Sequence, residues 1–97
     1  MVKHKRGIKP EHPGAILKEL FLDELNISVT EFADKIGVTR VTVSRLINGH
    51  QGITAEMAIR LSKAFRNTPE LWLNLQRNFD LWEAEHNKVI EVEAIAY

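Results

Sequence analysis

The sequence predicts an all-α domain built from five helices. Apolar residues recur at intervals of three and four along most of its 97 residues, which is the spacing of helices that bury one face. Gly37 and Gly49 follow two of these apolar segments and are suited to end helices. Helix start signals, in which a hydroxyl side chain precedes a helical segment, occur at four positions: Ser28, Thr39, Thr54 and Thr68.

The length and composition exclude several classes of protein. A chain of 97 residues forms one domain with a modest core, without room for a catalytic cleft between two domains. It has no cysteine, which excludes disulfide scaffolds, cysteine zinc sites and thiol chemistry. No apolar run approaches the roughly 20 residues of a membrane span, and the N-terminus lacks the apolar segment of a secretory signal. We therefore expect a soluble, cytoplasmic protein.

The charges balance overall but are unevenly distributed. The chain has 13 basic and 13 acidic residues, yet residues 1–66 carry a net charge of +4 and residues 67–97 a net charge of −4. One end can therefore approach phosphates while the other is repelled by them, although a net charge of this size is weak evidence alone.

The chain divides into three parts. Residues 1–9 contain four basic residues without periodicity and are predicted to form a flexible tail, which either has no specific role or is an arm toward nucleic acid or a partner. Residues 10–87 carry the helical patterns and form the domain. Residues 88–97 form an acidic tail that partly alternates apolar and acidic residues, which fits a fraying helix or a possible short strand. A lone strand would require a partner strand from another chain.

The first helix starts at Pro13, which suits a first turn because no amide hydrogen is needed there. Its predicted buried stripe consists of Ile16, Leu17, Leu20, Phe21 and Leu25.

The segment from Val29 to Asn48 predicts two helices that cross at a steep angle. Ala33 is small enough for a close helix contact, and Gly37 can adopt the positive φ of a tight turn. Val43 and Leu46 then point inward from the second helix. This leaves an outward face that is short, basic and rich in hydrogen-bonding groups, as the DNA major groove accepts. The face consists of Arg40, Val41, Thr42, Ser44 and Arg45.

The last two helices complete the domain and predict a dimer. The fourth buries Met57, Ala58, Leu61, Ala64 and Phe65. The fifth, from Pro69 to about Asn87, has apolar residues on more than one face, so that a second copy is the simplest cover for the surplus. Alternatively, its aromatic residues only close the monomer core. The predicted dimer interface consists of Trp72, Leu75, Phe79 and Trp82.

With these residues, the chain resembles HigA-type antitoxins, which belong to the Xre or phage-repressor-like helix-turn-helix group. The general repressor likeness covers residues 28–65, and the HigA likeness rests on residues 12–17, 68–76 and 79–81. One departure is Ala15, where many relatives have Glu, so no role of that carboxylate is carried over.

The resemblance implies a dimeric antitoxin that neutralises a HigB-like toxin, an mRNA-cleaving ribonuclease of RelE-like fold, and represses their shared operon. It also implies that Arg40, Val41 and Arg45 contact bases. Phosphate contacts are implied for three further positions: Thr39, Thr42 and Asn48. Two residues of the following loop either contact phosphate or only form a turn: His50 and Gln51.

The expected recognition follows from the chemistry of these side chains. Arg40 and Arg45 can each pair with guanine O6 and N7, and Val41 can pack on a thymine methyl. One helix contacts too few bases for a useful operator preference, so we expect two copies on half-sites about 34 Å apart and a palindromic operator.

Enzymatic function is not expected, and neither is a metal or a cofactor. The four histidines, at 4, 12, 50 and 86, lack metal-ligand spacing, and adjacent acidic residues on a helix diverge by roughly 100°.

Two other hypotheses about function remain open: a free-standing Xre-type repressor without a toxin, and an interaction module with a degenerate DNA-binding face. For a basic toxin we expect an acidic contact surface at Glu19, Asp23 and Glu24.

Overall fold

Five helices form within residues 8–96, the part of the chain that the computed structural model describes. Helix α1 runs through Pro13–Ile16, Leu17–Leu22 and Asp23–Leu25. The others are α2 (Val29–Ile36), α3 (Arg40–Ile47), α4 (Ala55–Phe65) and α5 (Pro69–Asn87). The predicted all-α, five-helix fold is confirmed. Most of the predicted basic tail, residues 1–7, lies outside the described residues, as does Tyr97.

Side-chain caps begin these helices as the sequence predicts. The Oγ atom of each predicted cap accepts the backbone N–H of the residue three positions later, at 3.1 to 3.2 Å, which satisfies a donor that the helix leaves free. Gly37 ends α2 in the left-handed conformation with φ of 78°. The confirmed caps are Ser28, Thr39, Thr54 and Thr68.

A π-helical segment changes which residues of α1 face the core. Between Leu17 and Leu22 the hydrogen bonds span five residues, and these two side chains are buried. Leu20 and Leu25 are 63% and 56% exposed, so their predicted burial was wrong. A π-helical turn contains an extra residue, which moves the inward position from i+3 or i+4 to i+5.

The core joins all five helices around Trp72. Its side chain is fully buried, lies 5.4 Å from the Phe21 ring between centroids, and donates from Nε1 to Asn67 Oδ1 at 2.9 Å. The prediction that Trp72 lies at a dimer interface is therefore corrected, because the monomer core already covers the whole side chain. On α4, Ala64 is exposed rather than buried, while Ser62 is buried with its hydroxyl bonded to the Ile59 carbonyl at 2.8 Å.

The segment after α5 has no regular secondary structure through residue 96. Its large apolar side chains are 65% to 87% exposed, and the possible short strand does not form in this part of the described chain. A strand needs a neighbour to bond its backbone groups. Among the helices of residues 8–96, none combines the length and apolar composition of a bilayer span.

The first turn of α1 lies directly against the end of α3. Gly14 is buried, and a Cβ atom built on it would lie 1.8 Å from the Leu46 carbonyl oxygen. His12 caps α1, its Nδ1 accepting the Gly14 N–H at 2.9 Å, and its ring meets the edge of Phe79 at 5.0 Å between centroids. Burial lowers the pKa of His12, although the charge of Asp80 and a backbone hydrogen bond act in the opposite direction. The neutral ring is the form that accepts this capping bond.

We predict that Gly14→Ala destabilises the domain. Alanine normally stabilises a helix relative to glycine by up to about 1 kcal/mol. Here the added methyl collides with backbone, and such overpacking costs about 1 to 3 kcal/mol or more. Urea unfolding should therefore show a lower free energy of unfolding. Ala15→Gly is the matched control, with only the propensity loss of roughly 1 kcal/mol. A Gly14→Ala variant as stable as the parent chain would contradict the close contact.

Candidate nucleic-acid interface

Helix α3 divides its residues between the core and the solvent. Val43 and Leu46 are at most 1% exposed, which fixes the helix on the domain. Arg40, Val41 and Arg45 lie on the opposite side and are exposed, as the sequence predicts. Val41 is 65% exposed, so most of its apolar side chain is in contact with solvent. The arrangement presents two guanidiniums and one apolar side chain on a single helix face.

Arg60 of α4 supports the turn between α2 and α3. Its Nη1 donates to the Ile36 carbonyl at 2.6 Å, which satisfies a carbonyl that the end of α2 leaves free. Its Nε and Nη2 both bond Glu56 Oε2, at 3.1 and 2.8 Å. Sequence reasoning missed this role. The spacing of Glu56 and Arg60 by four residues predicts their ion pair, but not the contact with α2.

Both outward arginines are held by hydrogen bonds within the chain. Arg40 Nε donates to Thr30 Oγ1 on α2 at 3.0 Å. Arg45 Nη2 donates to the His50 carbonyl in the following loop at 3.1 Å. A guanidinium has five N–H donors, so one such bond leaves several for a base or phosphate. The side chains are thus oriented while their donor groups remain available.

The predicted phosphate-contacting residues lie at the two ends of α3. At its start, Thr39 Oγ1 accepts the Thr42 N–H at 3.1 Å, and the two hydroxyls share a further bond at 2.9 Å. Since that bond uses one hydroxyl hydrogen, the other remains for an external acceptor. At its end, Asn48 Nδ2 donates to the Ser44 carbonyl at 2.9 Å. His50 is exposed and Gln51 is half-buried in the loop that follows.

Gln76 of α5 holds that loop from behind. Its Oε1 accepts the Ile53 N–H at 2.8 Å, and its Nε2 donates to Asp80 Oδ1 at 2.9 Å. Because the loop separates α3 from α4, this bond helps to fix the end of the exposed face. No sequence pattern predicts this bond, since the contact joins residues 23 positions apart.

The remaining predicted interface residues of α5 are partly used within the monomer. Leu75 packs against the core, and Phe79 lines a cleft of about 360 Å³ beside His12. Trp82 stacks on His86 with ring centroids 4.0 Å apart, and Lys9 Nζ lies 5.4 Å from the Trp82 ring. The buried Nε1 of Trp82 has no hydrogen-bond partner among the described residues. These three side chains remain half-buried, so a partner could cover only what the monomer leaves exposed.

Residues 8–96 contain no group of three or more His, Cys, Asp or Glu side chains placed to hold a metal ion.

Comparison with known proteins identifies the family. The sequence model of the family HTH_3, described as Helix-turn-helix, matches residues 17–73, which is more than half of the chain. The chain belongs to the helix-turn-helix family. This helix-turn-helix protein is 48% identical over 80 residues to an uncharacterized HTH-type transcriptional regulator of Haemophilus influenzae, covering 82% of the chain and 75% of that relative.

Two further comparisons narrow the family to HigA-type antitoxins. Antitoxin HigA-1 of Vibrio cholerae is 45% identical over 86 residues, covering 89% of this chain and 79% of its own. The solved structure described as Pseudomonas aeruginosa antitoxin HigA with higBA promoter has a TM-score of 0.78 and 38% identity, covering 80% of this chain and 85% of that one. The resemblance stated from the sequence is confirmed, and the family is in general non-enzymatic.

Proposed function

We propose that this helix-turn-helix protein is a DNA-binding antitoxin that represses its own operon as a dimer and neutralises a HigB-like, mRNA-cleaving toxin by direct binding. The observation that carries the proposal is the exposed face of α3, where Arg40, Val41 and Arg45 stand away from a core that fixes the helix. The relatives support it, because one is named as an antitoxin and another was solved with promoter DNA.

In the proposed complex, α3 enters the major groove. Arg40 and Arg45 each make a bidentate pair with a guanine edge, and Val41 packs on a thymine methyl. Hydrogen-bond donors at both ends of α3 bind phosphates of the DNA backbone. These contacts set the register of the helix on the duplex without selecting sequence. The proposed phosphate contacts are Thr39, Thr42, Asn48, His50 and Gln51.

The proposed dimer forms along α5. Leu71 is 41% exposed and lies on the same stripe as Leu75 and Trp82, at intervals of four and seven residues. With Phe79 beside this stripe, two copies of α5 would bury apolar surface that one copy leaves in water. A two-fold axis through this contact would place two α3 helices on half-sites of a palindromic operator.

The proposed toxin surface is the acidic outer side of α1. Glu19 and Glu24 are exposed there, and Asp23 is exposed while bonded to Lys18 Nζ at 3.0 Å. A ribonuclease that binds mRNA presents basic side chains to phosphates, and an acidic helix complements that surface. This side of α1 is separate from α3, so DNA and toxin contacts use different residues.

A second candidate function is a free-standing Xre-type repressor. The Haemophilus relative, described only as a transcriptional regulator, favours it. The DNA chemistry is the same in both proposals, and only the toxin distinguishes them.

We predict that Arg45→Ala relaxes operator selectivity. Loss of a bidentate pair should reduce discrimination at one base pair by about 1 to 3 kcal/mol, or roughly five- to 150-fold, with the helical CD signal unchanged. Competition gel shifts at stated salt, with operator variants changed one base pair at a time, measure this. Arg77→Ala on the exposed part of α5 is the matched control. Unchanged discrimination in Arg45→Ala would remove Arg45 as a base-contacting residue.

We predict that Trp82→Glu yields monomers in sedimentation velocity. The added carboxylate would have to be buried in the apolar contact between two copies of α5, which is unfavourable. Leu81→Glu is the control, because Leu81 is 38% exposed but lies on a different face of α5. The control should remain dimeric. Dimers of the Trp82→Glu variant would place the interface elsewhere.

We predict that co-expression of this chain rescues cells from the toxicity of the protein encoded beside it. Reversing the charges of Glu19, Asp23 and Glu24 to Lys should abolish rescue while leaving operator binding intact. Rescue that survives these reversals would eliminate the α1 surface. A neighbouring gene whose product is not toxic would instead support the free-standing repressor.

A further inference from the structure

A hydrogen bond connects the first helix of the helix-turn-helix unit to the exposed face of the second. Arg40 Nε donates to Thr30 Oγ1 at 3.0 Å, although the two residues are ten positions apart. Thr30 is the second residue of α2, and Arg40 is the first residue of α3. Both side chains are exposed, so the bond contributes little to the core and lies where a duplex would dock.

The geometry of this bond leaves the two terminal nitrogens of the guanidinium free to bind a base. Nε is the guanidinium nitrogen nearest the backbone, and its bond to Thr30 leaves the terminal Nη1 and Nη2 for a bidentate contact. The acceptor is itself restrained, because Thr30 lies on a helix and its β-branched side chain has few rotamers. An arginine otherwise loses much side-chain entropy on binding, and a side chain already held in place loses less.

Arg45 shows a different arrangement. Its bond to the His50 carbonyl uses Nη2, one of the two terminal nitrogens. Nη2 carries two hydrogens, so a bidentate contact through both terminal nitrogens of Arg45 would engage both hydrogens of Nη2. In the described contacts, all four terminal hydrogens of Arg40 remain available.

We propose that Thr30 is a positioning residue that sets the base preference of Arg40. The inference rests on the proposed function, in which Arg40 contacts a base. Thr30 acts through the arginine and does not itself contact a base. Residue 30 thereby makes α2 part of sequence selection, although only α3 lies in the groove.

The test compares four variants on DNA: Thr30→Val, Thr30→Ser, Arg40→Ala and the Thr30→Val/Arg40→Ala double variant. Valine keeps the shape and branching of threonine without the acceptor, and serine keeps the hydroxyl. The probe is a duplex that the parent chain selects from a randomised pool, together with versions changed one base pair at a time. Affinities are measured at several salt concentrations, and urea unfolding checks that each variant is folded.

Thr30→Val should lower discrimination at the same base pair that Arg40→Ala relaxes, by roughly two- to tenfold, the range of one net hydrogen bond. Thr30→Ser should keep the parent preference. In the Arg40→Ala background, Thr30→Val should have no further effect. The salt dependence should stay unchanged, because no phosphate contact is lost.

Three results would overturn the inference. Equal weakening on every sequence with a shallower salt dependence would make Thr30 a phosphate contact. A full Thr30→Val effect in the Arg40→Ala background would show that Thr30 acts without the arginine. Tighter or unchanged selective binding by Thr30→Val would show that the bond competes with recognition or is irrelevant to it. In each of these cases Arg40 can still contact a base, provided that Arg40→Ala relaxes one base preference. If Arg40→Ala changes no base preference, the proposed base contact of Arg40 fails together with the role of Thr30.

Discussion

The close contact between α1 and α3 is the constraint on which the exposed face depends. Backbone meets backbone where Gly14 lies against the Leu46 carbonyl, and no other residue type fits without displacing one helix. His12 caps α1 through the Gly14 N–H and packs against the Phe79 ring, so the start of α1 contacts both α3 and α5. Since packed interiors shift little, the direction of α3 relative to the domain is determined there.

The candidate site is a product of several helices rather than of α3 alone. Thr30 of α2 orients Arg40, Arg60 of α4 caps α2, and Gln76 of α5 holds the loop after α3. Each is a polar bond near the surface and contributes modestly to stability. Their shared effect is to reduce the freedom of side chains and turns around the exposed face. Preorganisation of this kind favours selective binding because less ordering remains to be done.

Helix α5 serves the monomer before it can serve a dimer. Trp72 is fully buried in the core of the monomer. His12 packs against Phe79, and Lys9 and His86 lie against Trp82. The proposed dimer stripe is therefore narrower than the sequence suggests, and the proposed toxin surface lies on a different helix. In the proposed function, DNA, toxin and a second copy would therefore contact separate residues of one small domain.

Local signals in the sequence determined the helices, their caps and the outward position of Arg40, Val41 and Arg45, because these depend on residues three or four positions apart. The family also follows from local motifs. Only the tertiary structure decided that Leu22 replaces Leu20 in the core, that Trp72 is buried, and that Thr30, Arg60 and Gln76 support the site. A π-helical turn breaks the regular spacing, and contacts between residues 10 to 24 positions apart depend on how the helices cross, which spacing does not encode.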